Sequence, residues 1–529
     1  MGQVRARAGS VLACALIWFA LVLPSSLSAM SPGAFVRIPL VGLVITGVLL
    51  VLPARARRAA VPLLGVGLAV VVVIKTLDIG FSAVLDRRFR ALDDLAGLGR
   101  GFELVEDGSG RAWAVGVVVL LVLVTALVVL LLVRAVARVA QVVTDHRDAS
   151  VATLVVAVLV WVPGALVGVQ VAGGDVASNA TSDLVRDHVV GGFADHRDAE
   201  VFAEAIADDP PAGRTQLLSG LRGKDVLLVF VESYGRAAVT DPELAKGVTP
   251  VLEAGTGELA EAGFEARSAY LTSPTVGAGS WLAHSTLQSG LWVDSDRRYE
   301  QLLPTERTTL TSAFEDAGWR TSFVLPAVEE GWPEGRSFYG FDRMLGARDL
   351  DYRGPSLGWG DVPDQYTLSW FWRSVLAGEG APVMAQIDLV SSHHPWPQPP
   401  PLVPTEEVGD GSVHACMPGC AAGGPDDVRS RYAASIGYSL QSLVSLVAAQ
   451  PDPDLVVVLV GDHQPWSEVT GTDPSHDVPV TIIAPDTGVL DRVDGWGWTP
   501  GMTPRPDSPV WRMDAFRDRF FAAFSGSAP

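Results

Sequence analysis

The stretch between Arg111 and Arg134 constrains the chain more than any other, because it is almost pure Val and Leu. Such a run is costly to hold in water. It also has the ~20-residue length that a helix needs to cross the hydrocarbon core of a bilayer. Four more segments before residue 175 share this character: 10–30, the stretch between Arg37 and Arg55, the stretch between Arg58 and Lys75 with an extension through Thr76 to Phe81, and 149–174. In hydrocarbon the backbone must satisfy its own hydrogen bonds, so all five are expected as helices. The first follows Arg5 and Arg7 and ends in Ser25-Ser26-Leu27-Ser28-Ala29, which has the look of a signal-peptide cleavage region. The apolar segments behind it favour a retained helix.

Arginine placement gives an orientation. Arg5, Arg7, Arg55, Arg57, Arg58, Arg134, Arg138 and Arg147 fall on one side of five spans. Arg87, Arg88, Arg90, Arg100 and Arg111 fall on the other, in one long loop diluted by acids. The N-terminus is therefore expected in the cytoplasm and everything after Gly174 outside it. The loop from Leu77 to Gly110, with Asp78, Arg87, Arg90 and Asp93, reads as an ordinary solvated loop, with contact to lipid headgroups as the alternative. Few charges interrupt the spans, and Lys75 lies near an end, which argues against a transporter.

The mean hydropathy is positive although the net charge is −20. These agree only if an apolar part is joined to an acidic, water-facing one. The division expected is a transmembrane domain over 1–174, a polar linker over 175–222 and a catalytic domain over 223–529. No long basic tract is present, which argues against nucleic acid as a partner. Of three cysteines, Cys14 lies in an apolar run, while Cys416 and Cys420 are expected to form a disulfide outside the cytoplasm. A metal site from His414, Cys416 and Cys420 lacks a fourth ligand.

Past the linker the pattern changes. Asp225–Val231, Thr321–Leu325, Val383–Val390, Leu455–Val460 and Val478–Ala484 are short runs rich in Val, Ile and Phe, with the length of buried strands. Helical spacing appears at Thr309–Ala317, Tyr366–Leu376 and Val428–Ala449. Buried strands alternating with helices predict an α/β domain with a mostly parallel central sheet.

Ligands in such sheets bind beyond the carboxyl ends of the strands. Glu232-Ser233-Tyr234 follows the first run, Ser391-Ser392-His393-His394-Pro395-Trp396 the third, and Gly461-Asp462-His463-Gln464 the fourth. Each alone is an ordinary turn or cap. Together they bring carboxylates and imidazoles to one sheet edge, a donor set suited to Mn²⁺, Mg²⁺ or Zn²⁺. A nucleophile is offered by Ser273-Pro274-Thr275-Val276-Gly277-Ala278-Gly279-Ser280, which leads into a helix expected from Trp281 to Gln288. Ser280 would sit at that helix's N-terminus, where free amides favour an anion. His284 is one turn on. Thr275 is the rival nucleophile, and Ser280 also suits a plain helix cap.

With these residues in hand, the chain resembles the alkaline phosphatase/sulfatase superfamily. Within it, the chain resembles the membrane enzymes of the lipoteichoic-acid-synthase type, which join five spans to an outer sulfatase-fold domain. The resemblance rests on Phe230-Val231-Glu232-Ser233, on Gly279-Ser280 with Gly290 ten positions later, on His393-His394-Pro395-Trp396 and on Val460-Gly461-Asp462-His463. It implies that Glu232, Ser280, Asp462 and His463 hold one divalent metal, Mn²⁺ first, with Mg²⁺, Zn²⁺ or Ca²⁺ as the others. It implies that Ser280, His284 and His393 are catalytic, and that Trp332, Arg336 and His394 bind substrate. Trp332, Arg336 and Gly340-Phe341-Asp342 are similar to the phosphoglycerol transferase pattern but differently spaced.

Two departures matter. Ser280 is not followed by the x-Pro-x-Arg of true sulfatases, and Glu232 is not followed by their pair of Asp residues. The function so implied is a membrane-anchored phosphotransferase or phosphodiesterase, working through a serine phospho-enzyme on lipid-linked or glycan phosphoesters such as phosphatidylglycerol. The alternatives are a sulfatase or phosphatase on the same scaffold, and an inactive scaffold that binds envelope polymer.

Overall fold

A computed structural model describes residues 2–27, 29–85, 88–91, 94, 111–171, 174–211, 216–329, 332–357, 362–378, 380–416, 427–471 and 474–526. Most of the 77–110 loop and the Cys416–Cys420 pairing lie outside the described residues. The chain divides into two compact units, Met1–Ala199 and Glu200–Pro529.

The first unit carries α1 (Gly2–Val22), α2 (Leu40–Val51), α3 (Ala54–Leu85), α4 (Arg111–Asp145) and α5 (Arg147–Val167). Within it, Ala54–Ser82, Arg111–Asp145 and Arg147–Val167 are long and apolar enough to cross a membrane, and the apolar parts of α1 and α2 are shorter. Its core packs Leu21, Leu49, Leu68, Leu132 and Val136. Outward from that core, α4 exposes a run of Val and Leu from Val117 to Val124. A patch of that size marks a surface meant for an apolar partner. Buried Lys75 is satisfied at the C-terminal end of α1: its Nζ donates to the Leu21 carbonyl (2.8 Å) and the Thr181 hydroxyl (3.0 Å). A cation there also meets the negative end of the helix dipole.

The stretch read as a linker holds a 28-residue helix, α6 (Ala180–Ala207), and the division between units falls within it.

The second unit is built on a nine-stranded mixed sheet. Its strands are β1 (Asp225–Val231), β2 (Glu265–Thr272), β3 (Arg320–Leu325), β4 (Arg343–Gly346), β5 (Val383–Leu389), β6 (Leu455–Gly461), β7 (Asp477–Ala484), β8 (Thr499–Pro500) and β9 (Val510–Arg512). The spatial order is β8-β2-β7-β6-β1-β5-β3-β4, with β9 also paired to β2. The block β6-β1-β5-β3-β4 is parallel throughout. On its other side β7 runs antiparallel to both β6 and β2, so the sheet is mixed, where a mostly parallel one was expected. A parallel return needs a crossover, usually a long helix, whereas among the described residues the connection from β6 to β7 holds only the one-turn helix Ser467–Thr470.

Both sheet faces are covered, which explains why the strands read as continuous apolar runs. In β1, Leu227, Val229 and Val231 join one core cluster, while Val226, Leu228 and Phe230 join the other. α7 (Ala245–Glu261) and α10 (Val428–Ala449) pack in the first cluster. α10 has the length and apolarity of a membrane span, yet it is mostly buried within this unit. α9 (Asp364–Phe371) lies on the same face. α8 (Ser280–Ser289) and the C-terminal α11 (Phe516–Phe524) belong to the second cluster.

One buried ionic knot ties this face together. Arg517, fully buried, reaches Asp209 (3.1 Å), and Arg307 donates to the carbonyls of Ser289 (2.8 Å) and Ala205 (2.8 Å). Removing one partner of a buried pair strands the other charge. Arg517→Ala is therefore expected to cost about 3–5 kcal/mol. Urea unfolding of the detergent-solubilised chain, followed by tryptophan fluorescence, checks it.

Candidate active site

The site follows from strand register. Gly461, Val231 and Leu389 are partners across three adjacent parallel strands, so the chain leaves β6, β1 and β5 side by side. The next residues are Asp462, Glu232 and Val390. The crossing is tight: a Cβ on Gly461 would stand 1.9 Å from the Tyr234 carbonyl oxygen, so only glycine fits before Asp462. Ser233 adopts a left-handed φ of 58°, unusual for a residue with a side chain. Asp462 holds that turn, since its Oδ1 accepts from the amides of Ser233 and His463, both at 2.7 Å.

This brings Glu232, Asp462 and His463 together, with one ligand atom from each within 4.8 Å of the others. His463 Nε2 lies 3.5 Å from Glu232 Oε1 and 3.6 Å from Asp462 Oδ2. The ring's other nitrogen donates to the Gln464 carbonyl (2.8 Å), which leaves a lone pair on Nε2. That is the tautomer a metal needs, fixed by an outer hydrogen bond. Two carboxylates and such an imidazole fit a divalent cation.

Ser280 is the first residue of α8, whose N-cap is Gly279. Its Oγ donates to Glu232 Oε2 (3.0 Å) and lies 3.3 Å from His463 Nε2. The rival hydroxyl, on Thr275, is instead turned to the Ala278 carbonyl of its own loop. The ten-residue spacing from Ser280 to Gly290 is the length of α8. Gly290 closes the helix at φ 65°, and a Cβ there would meet the Arg517 guanidinium at 2.6 Å.

Charge inside the cluster is unevenly held. Burial, then the Glu232 charge, pushes Asp462 up to about 7. Burial would raise Glu232 as well, but the charges of His463 and His393 outweigh it and hold that carboxyl below its usual range. For His463 burial is outweighed by Asp462 and Glu232, so the imidazole titrates above its usual value. An ion must therefore displace protons from Asp462 and His463. Cation affinity is expected to climb as pH rises through about 7, since below that value the Asp462 carboxyl carries a proton. Calorimetric titration of the full-length chain with Mn²⁺ on both sides of neutrality checks this. A pH-independent affinity would remove Asp462 from the ligand set.

His284 is buried one turn along α8, its ring 4.1 Å from the Phe230 ring. Burial holds it neutral, down to about 3. His393 lies at the end of β5 within electrostatic reach of Glu232, and its Nδ1 donates to the His394 carbonyl (2.6 Å). The His394 ring stacks on Trp466 at 4.6 Å.

Trp332 and Arg336 each have local partners. Trp332 stacks on Tyr299 at 5.9 Å and packs against the second core cluster. Arg336 is exposed and donates to the carbonyls of Phe341 (3.0 Å) and Asp342, closing its own short helix Pro333–Tyr339.

Sequence reading missed Asp388. This β5 residue sits across from Phe230, with Oδ2 3.8 Å from His284 Nδ1. Burial raises its carboxyl well above the usual range. A lone acid inside a mostly apolar strand was the available signal.

A strand-edge cluster of this kind beside a serine at a helix start defines a superfamily of ester-processing enzymes. The sulfatase family model matches residues 224–488, about half of the chain. The chain belongs to the sulfatase family, and is an enzyme of the alkaline phosphatase/sulfatase superfamily. Among solved structures, the integral membrane lipooligosaccharide phosphoethanolamine transferase EptA from Neisseria meningitidis aligns over 93% of this chain and 87% of its own, at 13% identity and a TM-score of 0.40. The lipoteichoic acid synthase LtaP from Listeria monocytogenes aligns over 54% and 71%, at 14% identity and a TM-score of 0.36. The phosphoglycerol transferase GacH from Streptococcus pyogenes aligns over 62% and 90%, at 12% identity and a TM-score of 0.34. No curated protein matches.

Proposed function

We propose that the chain is a membrane-anchored, metal-dependent phosphotransferase or phosphodiesterase acting at the outer membrane face, with Ser280 as nucleophile. One observation carries the reading: the Ser280 hydroxyl lies against Glu232 (3.0 Å) and His463 (3.3 Å) at the N-terminus of a helix. The missing x-Pro-x-Arg after Ser280 favours phosphate over sulfate esters. Five apolar helices in the first unit, with their arginine bias, support five spans and a catalytic domain outside the cytoplasm.

Glu232, Asp462, His463 and Ser280 would hold one divalent cation, Mn²⁺ by preference. When bound, it lowers the hydroxyl pKa and polarises the phosphoryl group. The residues do the rest. Ser280 gives up its proton along the bond to Glu232. Its Oγ forms a bond to phosphorus, and the bond from phosphorus to the leaving alcohol breaks. His393 protonates that alcohol, and His284 hydrogen-bonds a phosphoryl oxygen. A glycan hydroxyl or water then gives its proton to His393 and attacks phosphorus, the serine ester breaks, and the proton held by Glu232 returns to Ser280. Trp332, Arg336 and His394 would bind substrate, a role that rests on the family resemblance. The anchor favours a lipid-linked donor of the phosphatidylglycerol type and an envelope glycan acceptor.

The test is mass spectrometry of the detergent-solubilised chain after incubation with Mn²⁺ and phosphatidylglycerol. A phosphoglycerol adduct on Ser280 is expected. Turnover of sulfate esters without that adduct would replace the proposal with a sulfatase.

A further inference from the structure

Behind His284 runs a buried chain of amides whose polarity can be followed atom by atom. It starts at the Thr311 backbone N–H, which can only donate, and which Gln288 Oε1 accepts at 3.0 Å. That settles which end of the Gln288 amide is oxygen. The Gln288 nitrogen then donates to Gln386 Oε1, also at 3.0 Å. So the Gln386 nitrogen is the atom that faces His284 Nδ1 (3.4 Å) and Asp388 Oδ1 (3.3 Å). A donor facing Nδ1 requires a lone pair there. The proton of the neutral ring is then on Nε2.

We propose that Gln288 and Gln386 are positioning residues that fix His284 as an Nε2–H donor, so that it binds a phosphoryl oxygen of the substrate and does not relay a proton. The inference rests on the phosphotransfer reading above. Thr311, Gln288 and Gln386 are at most 1% exposed, so water does not compete for their polarity. Phe230 (4.1 Å) and Phe323 (6.4 Å) flank the imidazole. The titratable groups around it are Asp388, Glu232 and His463. Asp388 is the competitor, because an ionised carboxylate would draw the proton to Nδ1. Its distance (3.8 Å) is longer than that of the Gln386 amide, and burial keeps it protonated. His393 has the opposite polarity, since its Nδ1 donates to a carbonyl and Nε2 is left to accept a proton. The two histidines thus divide the work: one donates a fixed hydrogen bond, the other moves a proton.

The test is nitrogen NMR of the full-length chain in detergent, with labelled histidine, using His284→Gln to assign the signal. Expected is a neutral ring protonated on Nε2 that does not titrate near neutrality. Gln386→Glu should reverse it, moving the proton to Nδ1, introducing a new titration into the pH profile of kcat and lowering kcat roughly 10²-fold with little change in KM. His284→Gln, which keeps an amide donor, should retain more activity than His284→Ala. Protonation of the wild-type ring on Nδ1, or equal losses in His284→Gln and His284→Ala, would overturn the proposal. The wild-type spectrum decides even if Gln386→Glu does not fold. An Nε2–H ring without a Ser280 adduct would sink the phosphotransfer reading instead, and an adduct with an Nδ1–H ring would sink this inference alone.

Discussion

Ser280→Ala is expected to reduce turnover by roughly 10³-fold or more and to abolish the covalent adduct, while the cation still binds. The Ser280 hydroxyl lies against both Glu232 and His463 at the start of a helix, whereas the Ser233 hydroxyl, which donates to the other Glu232 oxygen (2.8 Å), sits in the left-handed turn after β1. Glu232, Asp462 and His463 remain to hold the ion, so calorimetry with Mn²⁺ should show binding in the variant. Folding should change little, because Ser280 is partly exposed and its side chain caps no backbone group. An adduct that persists in the variant would redirect attention to Thr275.

Asp462→Ala should fail in a different way. The variant loses a ligand and the acceptor for two backbone amides, those of Ser233 and His463. Each buried amide left unpaired costs about 1–3 kcal/mol, and the left-handed turn at Ser233 loses its clamp. Mn²⁺ affinity should fall by more than about 10²-fold, activity should disappear, and the urea midpoint should drop. Ser280→Ala and Asp462→Ala thus separate chemistry from ion binding. An Asp462→Ala chain that bound Mn²⁺ normally would overturn the ligand assignment.

The legible parts of this chain are those where one residue type answers one physical demand. Strands β1, β5 and β6 read as apolar runs because both faces are buried, and Glu232, His393 and Asp462-His463 stood out as polar residues just past their ends. The Gly before Asp462 was legible too, although its reason, a carbonyl 1.9 Å from a would-be Cβ, is tertiary. β2 was missed because Arg267 and Ser268 interrupt its apolar pattern, and its partners come from far along the chain. The direction of β7 is set by the short return from β6, not by its composition. α6 was hidden by its polar sequence. Gln288, Gln386 and Asp388 show a role only once register and helix packing set them around His284.

Strand order also has a consequence in time. β1 is made early, but both of its neighbours, β5 and β6, are made late. Ser233 and Asp462, joined by a hydrogen bond, are separated by 229 positions. At ~5–20 residues per second a ribosome needs roughly 10–45 s to close that gap. Until then β1 has two open edges, which are prone to pairing with the wrong strand, and Glu232 has no companions. An ion held by this cluster would therefore be drawn from the compartment in which folding finishes.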